Sequence, residues 1–485
     1  MAYLHGTYGA FDKSIGLVPV ATDTIPVYVG VAPVNLVRGY EEMGNVNGPL
    51  QVKNMEGVQR LFGYSGDWES FSLCEVFAAH FQNEISNVSP IVVINVLDPA
   101  THKKAGEPTT QELTFVNGTA VMESDTIILD TLVLADKVEG TDFTVDYDFT
   151  KGQVILKSIA EEPLTTVNAT FSEVDVSMVQ EADIVGGVTA EGVYTGLGSV
   201  ALVYPELGLI PNLLAAPGYS EKPTVYRAMI QAAAKINGHW DAMVLADIPL
   251  ESNDTIQKAV EWKKENGYTS ERAKVCYPQW QTKDGAVYHL STWTAWLMCL
   301  VDATHQGVPM ETPSNKQIPA GKQFFGKSSK HKGFDQQTAN ELNENGITTA
   351  VYWGGVHVLW GGHTAAYQYG LVTDDRAIFD VSIRMMMHVT NDFQREHALT
   401  IDCPMTKAMA DTIKNREQEK LDALVAIGAL IGEPVCEFKE SENSTEQLME
   451  GDFVWSNKMT PTPPFKSGTM KVAYTDEGFS TYFSE

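Results

Sequence analysis

The chain has 485 residues, 34 Lys and Arg against 62 Asp and Glu, and 44% apolar residues, enough for about three or four domains with cores of their own. A formal net charge of −28 repels nucleic-acid phosphates and anionic lipid, which excludes free DNA, RNA or a membrane as the main partner and makes any basic site local. The first twenty or so residues are rich in Gly, Tyr and Phe without helical period and predict an extended arm. Continuous apolar, β-branched runs at Pro26 to Ala32 and Pro90 to Leu97 predict strands covered on both faces. Between them, Leu73, Val76, Phe77, His80 and Phe81 lie three or four apart within Ser70 to Ile85, which predicts an amphipathic helix and so a β-α-β unit.

From 101 to 200 the pattern changes: 17 acidic residues face five Lys and no Arg, and helical periodicity disappears. Short alternating segments at Asp125 to Leu134, Thr141 to Asp148, Gln153 to Ser158 and Thr166 to Val176 predict a small, strongly solvated β-sandwich inserted into the α/β unit. The α/β signature resumes near 197. Helices are expected near Thr224 to Ile236, at Asn253 to Glu265 and at Val287 to Thr304, and strands at Ala242 to Ala246 and Ala273 to Tyr277. A loop-rich stretch with a basic centre spans 308 to 346, followed by apolar elements at Val351 to Trp360 and Ala377 to Val381. A long helix within Thr400 to Ile431 carries the stripe Met405, Met409, Ile413, Leu421, Leu424 and Val425. Pro461, Pro463 and Pro464 then end regular structure. The tail from Thr469 to Phe483 alternates Met470, Val472 and Tyr474 against Lys471, Ala473 and Thr475, and sets Phe479, Thr481 and Phe483 on one face.

Chemical motifs are sparse. Five cysteines (Cys74, Cys276, Cys299, Cys403, Cys436) without a C-x-x-C pair exclude a disulfide framework or zinc knuckle and fit a reducing cytoplasm. No basic and apolar leader opens the chain and no run of about eighteen apolar residues occurs, so neither secretion by a signal peptide nor bilayer anchoring is expected. Gly321-Lys-Gln-Phe-Phe-Gly326-Lys327-Ser328 matches the phosphate-loop pattern G-x-x-x-x-G-K-S. A phosphate loop needs a buried strand before it and a helix after it, and neither flank reads that way. Lys316, Lys322, Lys327, Lys330 and Lys332 make a basic island there, either a solvated loop or a docking patch for an acidic partner. His5 lacks a nucleophile segment to complete a triad, and His357, His363 and Arg395-Glu396-His397 lack metal-ligand spacing. Asp247 follows an apolar run, where catalytic carboxylates sit in open sheets, without a second acid or a Gly-rich loop. No catalytic constellation, cofactor site or metal site is expected.

Several segments together resemble the tail sheath proteins of contractile-tailed bacteriophages and related contractile injection particles. They are Ile210 to Ser220, Tyr277-Pro278-Gln279-Trp280, Pro313-Ser314-Asn315, Leu342 to Ile347, Leu359 to Thr364, and Phe379 to Val435 with Ala426-Ile-Gly-Ala-Leu-Ile-Gly-Glu-Pro near its end. The likeness covers most of the chain outside 101 to 196. It implies a protein without catalytic turnover: an α/β and α+β chain, the α/β domain of subtilisin-like topology without the triad, with an inserted β-sandwich. The implied division is an N-terminal arm (1–22), an α/β sheath domain (23–100 and 197–370), an outer protrusion (101–196), a C-terminal α+β core (371–467) and a C-terminal arm (468–485). Hexameric rings would stack around a tail tube, with baseplate and tail terminator proteins as further partners, in a tail assembled in the bacterial host cytoplasm. Arms would complete sheets in neighbours, with Met470, Val472, Tyr474, Phe479 and Phe483 filling pockets. Lys407, Lys414, Arg416 and Lys420 are the candidate tube contacts, not all on one helical face. The competing readings are a phosphate-loop ATPase of packaging or remodelling and another virion structural protein such as a baseplate component.

Overall fold

The structure is a computed structural model that describes residues 19–331, 333–371 and 374–483. The expected N-terminal arm falls almost wholly outside these residues; only Val20–Ala21 is seen, pairing in parallel with Val88–Ser89. Eight strands form one mixed sheet: β1 (Ile25–Gly30), β2 (Pro49–Val52), β3 (Ile91–Asn95), β4 (Pro211–Ala215), β5 (Met243–Asp247), β6 (Ala273–Cys276), β7 (Ile347–Trp353) and β8 (Val356–Trp360). Their spatial order is β8-β7-β6-β5-β4-β1-β3-β2. The six inner strands are parallel and each edge strand is antiparallel to its neighbour. Every residue of β1, β3, β5 and β6 is buried, as the continuous apolar runs require of strands covered on both faces.

Helices α1 (Leu73–Phe81), α2 (Pro223–Ala232), α3 (Ile256–Glu265) and α4 (Leu290–Thr304) supply that cover. The helix α1 and the strands β1 and β3 make the expected β-α-β unit, which turns one way along the sheet while β4, β5 and β6 run the other. The order therefore reverses between β1 and β4. Helix α4 is apolar on nearly every face and packs against α1, with Trp293, Trp296 and Met298 fully buried. It starts at Leu290, because Val287–Tyr288 pairs with Gln279–Thr282 instead of joining the helix. The β7–β8 turn is Gly354-Gly355 with φ of +62° and +92°, a left-handed backbone that glycine adopts without a Cβ penalty. No helix among the described residues is long and apolar enough to cross a membrane.

The acidic segment forms two three-stranded antiparallel sheets, Thr119–Glu123, Gln153–Ser158 and Phe143–Asp148 in one, Thr109–Thr114, Thr166–Phe171 and Val133–Leu134 in the other. They share a core of Leu113, Met122, Leu132, Phe143, Leu156 and Phe171. Two expectations fail here. Asp125 to Leu134 is mostly not a strand: Ile127, Ile128 and Leu129 are buried in succession, so the segment turns through a short 3-10 helix at Leu129–Thr131. Thr109–Thr114 was not expected, since Leu113 is its only buried residue. Val179 and Ile184, counted with the module from sequence, pack into the core of the large sheet. Ser65 Oγ donates to Asp125 (2.6 Å) and Asn35 Nδ2 to the Asp125 carbonyl (2.9 Å), and Val37 and Tyr40 pack on Ile128 and Val174, so polar and apolar contacts together dock the module.

The apolar element expected at Ala377 to Val381 is in fact the start of α5 (Asp380–His397), followed by α6 (Lys407–Ala426). Two buried ion pairs fasten α5 to the sheet and α4: Lys274 Nζ to Asp380 (2.6 Å), both fully buried, and Arg384 to Asp302. The α6 cap is Thr406, whose hydroxyl accepts from Met409 N (3.2 Å). Of the expected stripe Ile413 and Leu421 are buried, together with Ala410 and Glu417, while Met405 precedes the helix. A hairpin of Leu430–Glu437 with Ser456–Pro461 closes over α6 around Met385, Leu421, Leu430 and Cys436.

Candidate functional site

The phosphate-loop match does not build a phosphate site. Gly321–Phe324 is itself a strand, antiparallel to Gln279–Thr282, and a Cβ on Gly321 would stand 2.3 Å from the Gln281 carbonyl. Gly321 is therefore a sheet-packing residue, and its Lys327 Nζ pairs with Glu69 on the surface. Ser328 does not open a helix, the next one starting only at Gln336, and Phe325 stacks on His331 (4.2 Å, 29°) where a phosphate would need bare backbone. The basic island is partly spent inside the chain, Lys316 on Glu311 and Lys327 on Glu69; Lys332 lies outside the described residues, as does His5.

Asp247 ends β5 in a closed polar knot. It accepts from Ser291 N (3.0 Å) and Ser291 Oγ, and burial pushes its pKa up to about 6. Beside it His289 is bracketed by Glu75 (2.9 Å from Nδ1) and Glu221 (3.3 Å from Nε2). No Ser hydroxyl bonds to this histidine among the described residues, so no nucleophile and base are coupled. His363 lies between Tyr367 (3.6 Å) and Phe379 (4.9 Å) and its Nδ1 donates to the Ile378 carbonyl (2.8 Å), a packing role. His357 packs edge-on against Trp280.

Glu396, His397 and Glu417 are the one group of ligand-type side chains among the described residues close enough to share a metal. The site is already electrically filled: Glu396 pairs with Arg416 and Lys420, Lys420 also with Asp392 (2.8 Å) and Glu417 (3.1 Å), and His397 with Glu417 (3.2 Å). This network clasps α5 to α6 and leaves the carboxylates no need of a cation. It also divides the four expected tube contacts. Arg416 and Lys420 are turned to the clasp, whereas Lys407 and Lys414, seven residues and two turns apart on one face, make no ion pair among the described residues.

The surface most in need of a partner lies at the C-terminus. Among the described residues the hairpin Leu430–Glu437/Ser456–Pro461 has only two strands, so each keeps an edge that no described strand pairs. A groove of about 900 Å³ runs between it and α5, lined by Phe379, Met386, Phe393, Ile431, Trp455 and Met459. Beyond Pro464 the tail joins no sheet among the described residues. Met470, Val472 and Tyr474 are 83–88% exposed, Phe479 57% and Phe483 90%. Glu477–Tyr482 forms a short 3-10 helix rather than the expected extended segment, since a lone strand has no ladder to hold it. The hairpin and its groove were missed from the sequence, where Gly432 and Pro434 interrupt the alternation, although Val435-Cys436-Glu437 was a usable trace.

No protein-family model matches the chain. It is 28% identical over 98% of its length to the tail sheath protein of Burkholderia phage BcepMu, covering 97% of that protein. A putative prophage major tail sheath protein of Pseudomonas aeruginosa is 27% identical over 68% of this chain and 79% of its own length. Among solved structures, a chain of the anti-feeding prophage baseplate superposes with a TM-score of 0.57 at 14% identity, over 98% of this chain and all of that one. A chain of the extracellular contractile injection system PVC, in a contracted sheath complex, gives 0.55 at 13% identity over the same shares. The chain is thus similar nearly end to end to tail sheath proteins of contractile phages, and it shares the fold of a contracted sheath chain.

Proposed function

We propose that the chain is the structural subunit of a contractile sheath, in a virion tail or tail-like particle, polymerised as stacked hexameric rings around a tail tube. Contraction releases conformational free energy trapped at assembly, a two-state change biased by contacts with tube and baseplate, and needs no nucleotide. One observation carries the reading best: an exposed alternating tail stands beside a two-stranded hairpin with open edges and an apolar groove. Backbone hydrogen bonds to such an edge, with pockets for every second side chain, hold a strand that is unstable alone. Met470, Val472, Tyr474, Phe479 and Phe483 of one subunit fill the groove of another, so subunits stay tethered while the lattice shortens.

In this reading residues 23–100 and 197–370 form a subtilisin-like sheath domain, 371–467 the α+β core, 1–22 and 468–485 the arms, and 101–196 an outward β-sandwich. Lys407 and Lys414 touch the tube weakly enough to slide, since exposed ion pairs contribute little and are screened by salt. Deleting 468–485 is the test. A folded subunit that no longer forms rings or tubes in sedimentation and negative-stain microscopy is expected; normal polymers from the truncated chain would overturn the role of the arm.

A further inference from the structure

A second groove, of about 710 Å³, lies beside the first and shares Phe379 with it. Six of the twenty residues round it are aromatic in a chain where aromatics make up 9%, and only Glu344 and Lys466 are charged where the chain as a whole is 20% charged, so its walls are ring faces set among amides and hydroxyls. The rings are braced from behind. Trp353 and Trp360 stand on the antiparallel pair β7 and β8 with ring centres 5.7 Å apart at 55°, and Trp353 is still 48% exposed. Tyr367 lies flat on His363 (3.6 Å, 4°), which lies on Phe379 (4.9 Å, 17°) and whose carbonyl accepts from the buried Lys274 ammonium (3.3 Å). Tyr369, a further wall residue, is 69% exposed. The polar groups are fixed and keep spare capacity. Asn343 donates both amide hydrogens, to the carbonyls of Ile347 (3.0 Å) and Trp360 (3.1 Å), which sets its plane and leaves Oδ1 without a partner among the described residues. Ser314 Oγ accepts from Gly361 N (2.9 Å), so its own hydrogen can be donated, and Asn340 Oδ1 accepts from Gln336 Nε2 (3.3 Å), which leaves the Asn340 amide hydrogens for a ligand.

We propose that this groove binds a neutral carbohydrate, a short run of pyranose rings within an oligosaccharide. A pyranose presents a face of slightly positive C–H bonds, which the negative face of an aromatic ring attracts, and round its edge hydroxyls that both donate and accept. The groove offers the complement of each: exposed ring faces on Trp353 and Tyr369, and Asn343 Oδ1, Ser314 Oγ and Asn340 Nδ2 as one acceptor and two donors. Its volume falls in the range of about 300–1,000 Å³ usual for ligand clefts. Charge and hydrogen bonding sort the other classes. Glu344 and Lys466 cancel, so neither a cation nor an anion meets a net opposite charge, and a nucleic acid would find one basic side chain where it needs several. An apolar segment would strip water from Asn343 Oδ1 and the Asn340 amide without replacing its hydrogen bonds. The proposal does not rest on strand donation, which uses the first groove.

The test is calorimetric titration of the full-length subunit with cellotetraose, maltotetraose and tetra-N-acetylchitotetraose at millimolar concentration. Binding of at least one is expected, weakened about tenfold by Trp353→Ala and lost in Trp353→Ala with Tyr369→Ala. Both side chains are exposed, so the variants should melt with the unmodified chain, which a parallel thermal scan checks. The affinity should not change as salt is raised, because the ligand carries no charge. Failure of all three sugars to bind the unmodified subunit, binding that survives the double substitution, or an affinity that falls with salt would each overturn the proposal. A double variant that no longer polymerises, in a chain that binds none of the sugars, would give the groove to a second copy and overturn it equally.

Discussion

Removing one partner of the Lys274–Asp380 pair should uncouple α5 from the sheet. The ammonium has three acceptors, Asp380 Oδ2 (2.6 Å), Gly361 O (2.8 Å) and His363 O (3.3 Å), and the carboxylate also accepts from Thr312 Oγ1 (3.1 Å) and Val381 N (2.7 Å). Both side chains are fully buried, so a survivor of either deletion keeps a charge that water cannot reach. Such a loss costs about 3–5 kcal/mol. Lys274→Met should fall at the low end, because Asp380 retains two donors and sits at the positive end of α5. Asp380→Leu should fall at the high end, leaving the ammonium only carbonyl dipoles. At about 2–4 °C per kcal/mol for a unit of this size, the transition containing the large sheet should drop by roughly 6–20 °C in scanning calorimetry. Lys274→Met with Asp380→Leu should recover most of it, since a buried pair replaced by apolar groups of similar volume is often close to neutral. Single substitutions costing under about 1 kcal/mol, or a double variant as unstable as the sum of the two, would refute the account.

Three further outcomes are expected. Burial acts to lower the His289 pKa, but Glu75 and Glu221 outweigh it and hold it well above the ordinary histidine value. The stabilisation this gives is complete below the unfolded value near 6.5 and is lost as pH rises through the folded one, so melting temperature should decline on the alkaline side of neutrality, less so in His289→Gln. Asp247, raised by burial to about 6, acts at lower pH and does not confuse that window. Calorimetric titration with ATP should show no specific binding to the chain or to Lys327→Ala; binding by the former lost in the latter would revive the nucleotide reading. Lys407→Gln with Lys414→Gln should reduce co-sedimentation with tube protein without changing the melt, while Lys420→Gln should lower the melt by breaking the α5–α6 clasp; unchanged attachment in the first variant would count against the tube face.

What could be read from the sequence follows how cleanly burial alternates or continues. The strands at 25–30 and 91–95 were legible because both faces are covered, and Gln153–Ser158 because its buried Val154 and Leu156 alternate. Helix α5 was not, because its inner face carries Asp380, Arg384 and Asn391, polar residues whose burial is made tolerable only by partners on other elements. The same cause hid the clasp: Glu417 lies at a core position of α6, where a charge reads as surface until His397 of α5 is placed opposite it. The tail pattern of Met470, Val472 and Tyr474 was legible as chemistry, but its groove was not, since the groove joins α5 to a hairpin interrupted by Gly432 and Pro434. Local alternation shows that a segment wants an apolar partner and says nothing of where that partner is.

The excess negative charge is unevenly distributed along the chain. The module between 101 and 200 holds twelve of the 28 excess negative charges. On its strands Glu112, Glu123 and Asp146 point outward while Leu113, Met122 and Tyr147 point in. At physiological salt such charges act over only about 8 Å, so they repel a surface that approaches the module and scarcely affect one that docks elsewhere. At the C-terminus Glu396 and Glu417 are paired with Arg416 and Lys420, and Glu437 with Lys439 and Lys458, whereas the exposed Glu433, Glu446 and Glu450 make no ion pair among the described residues.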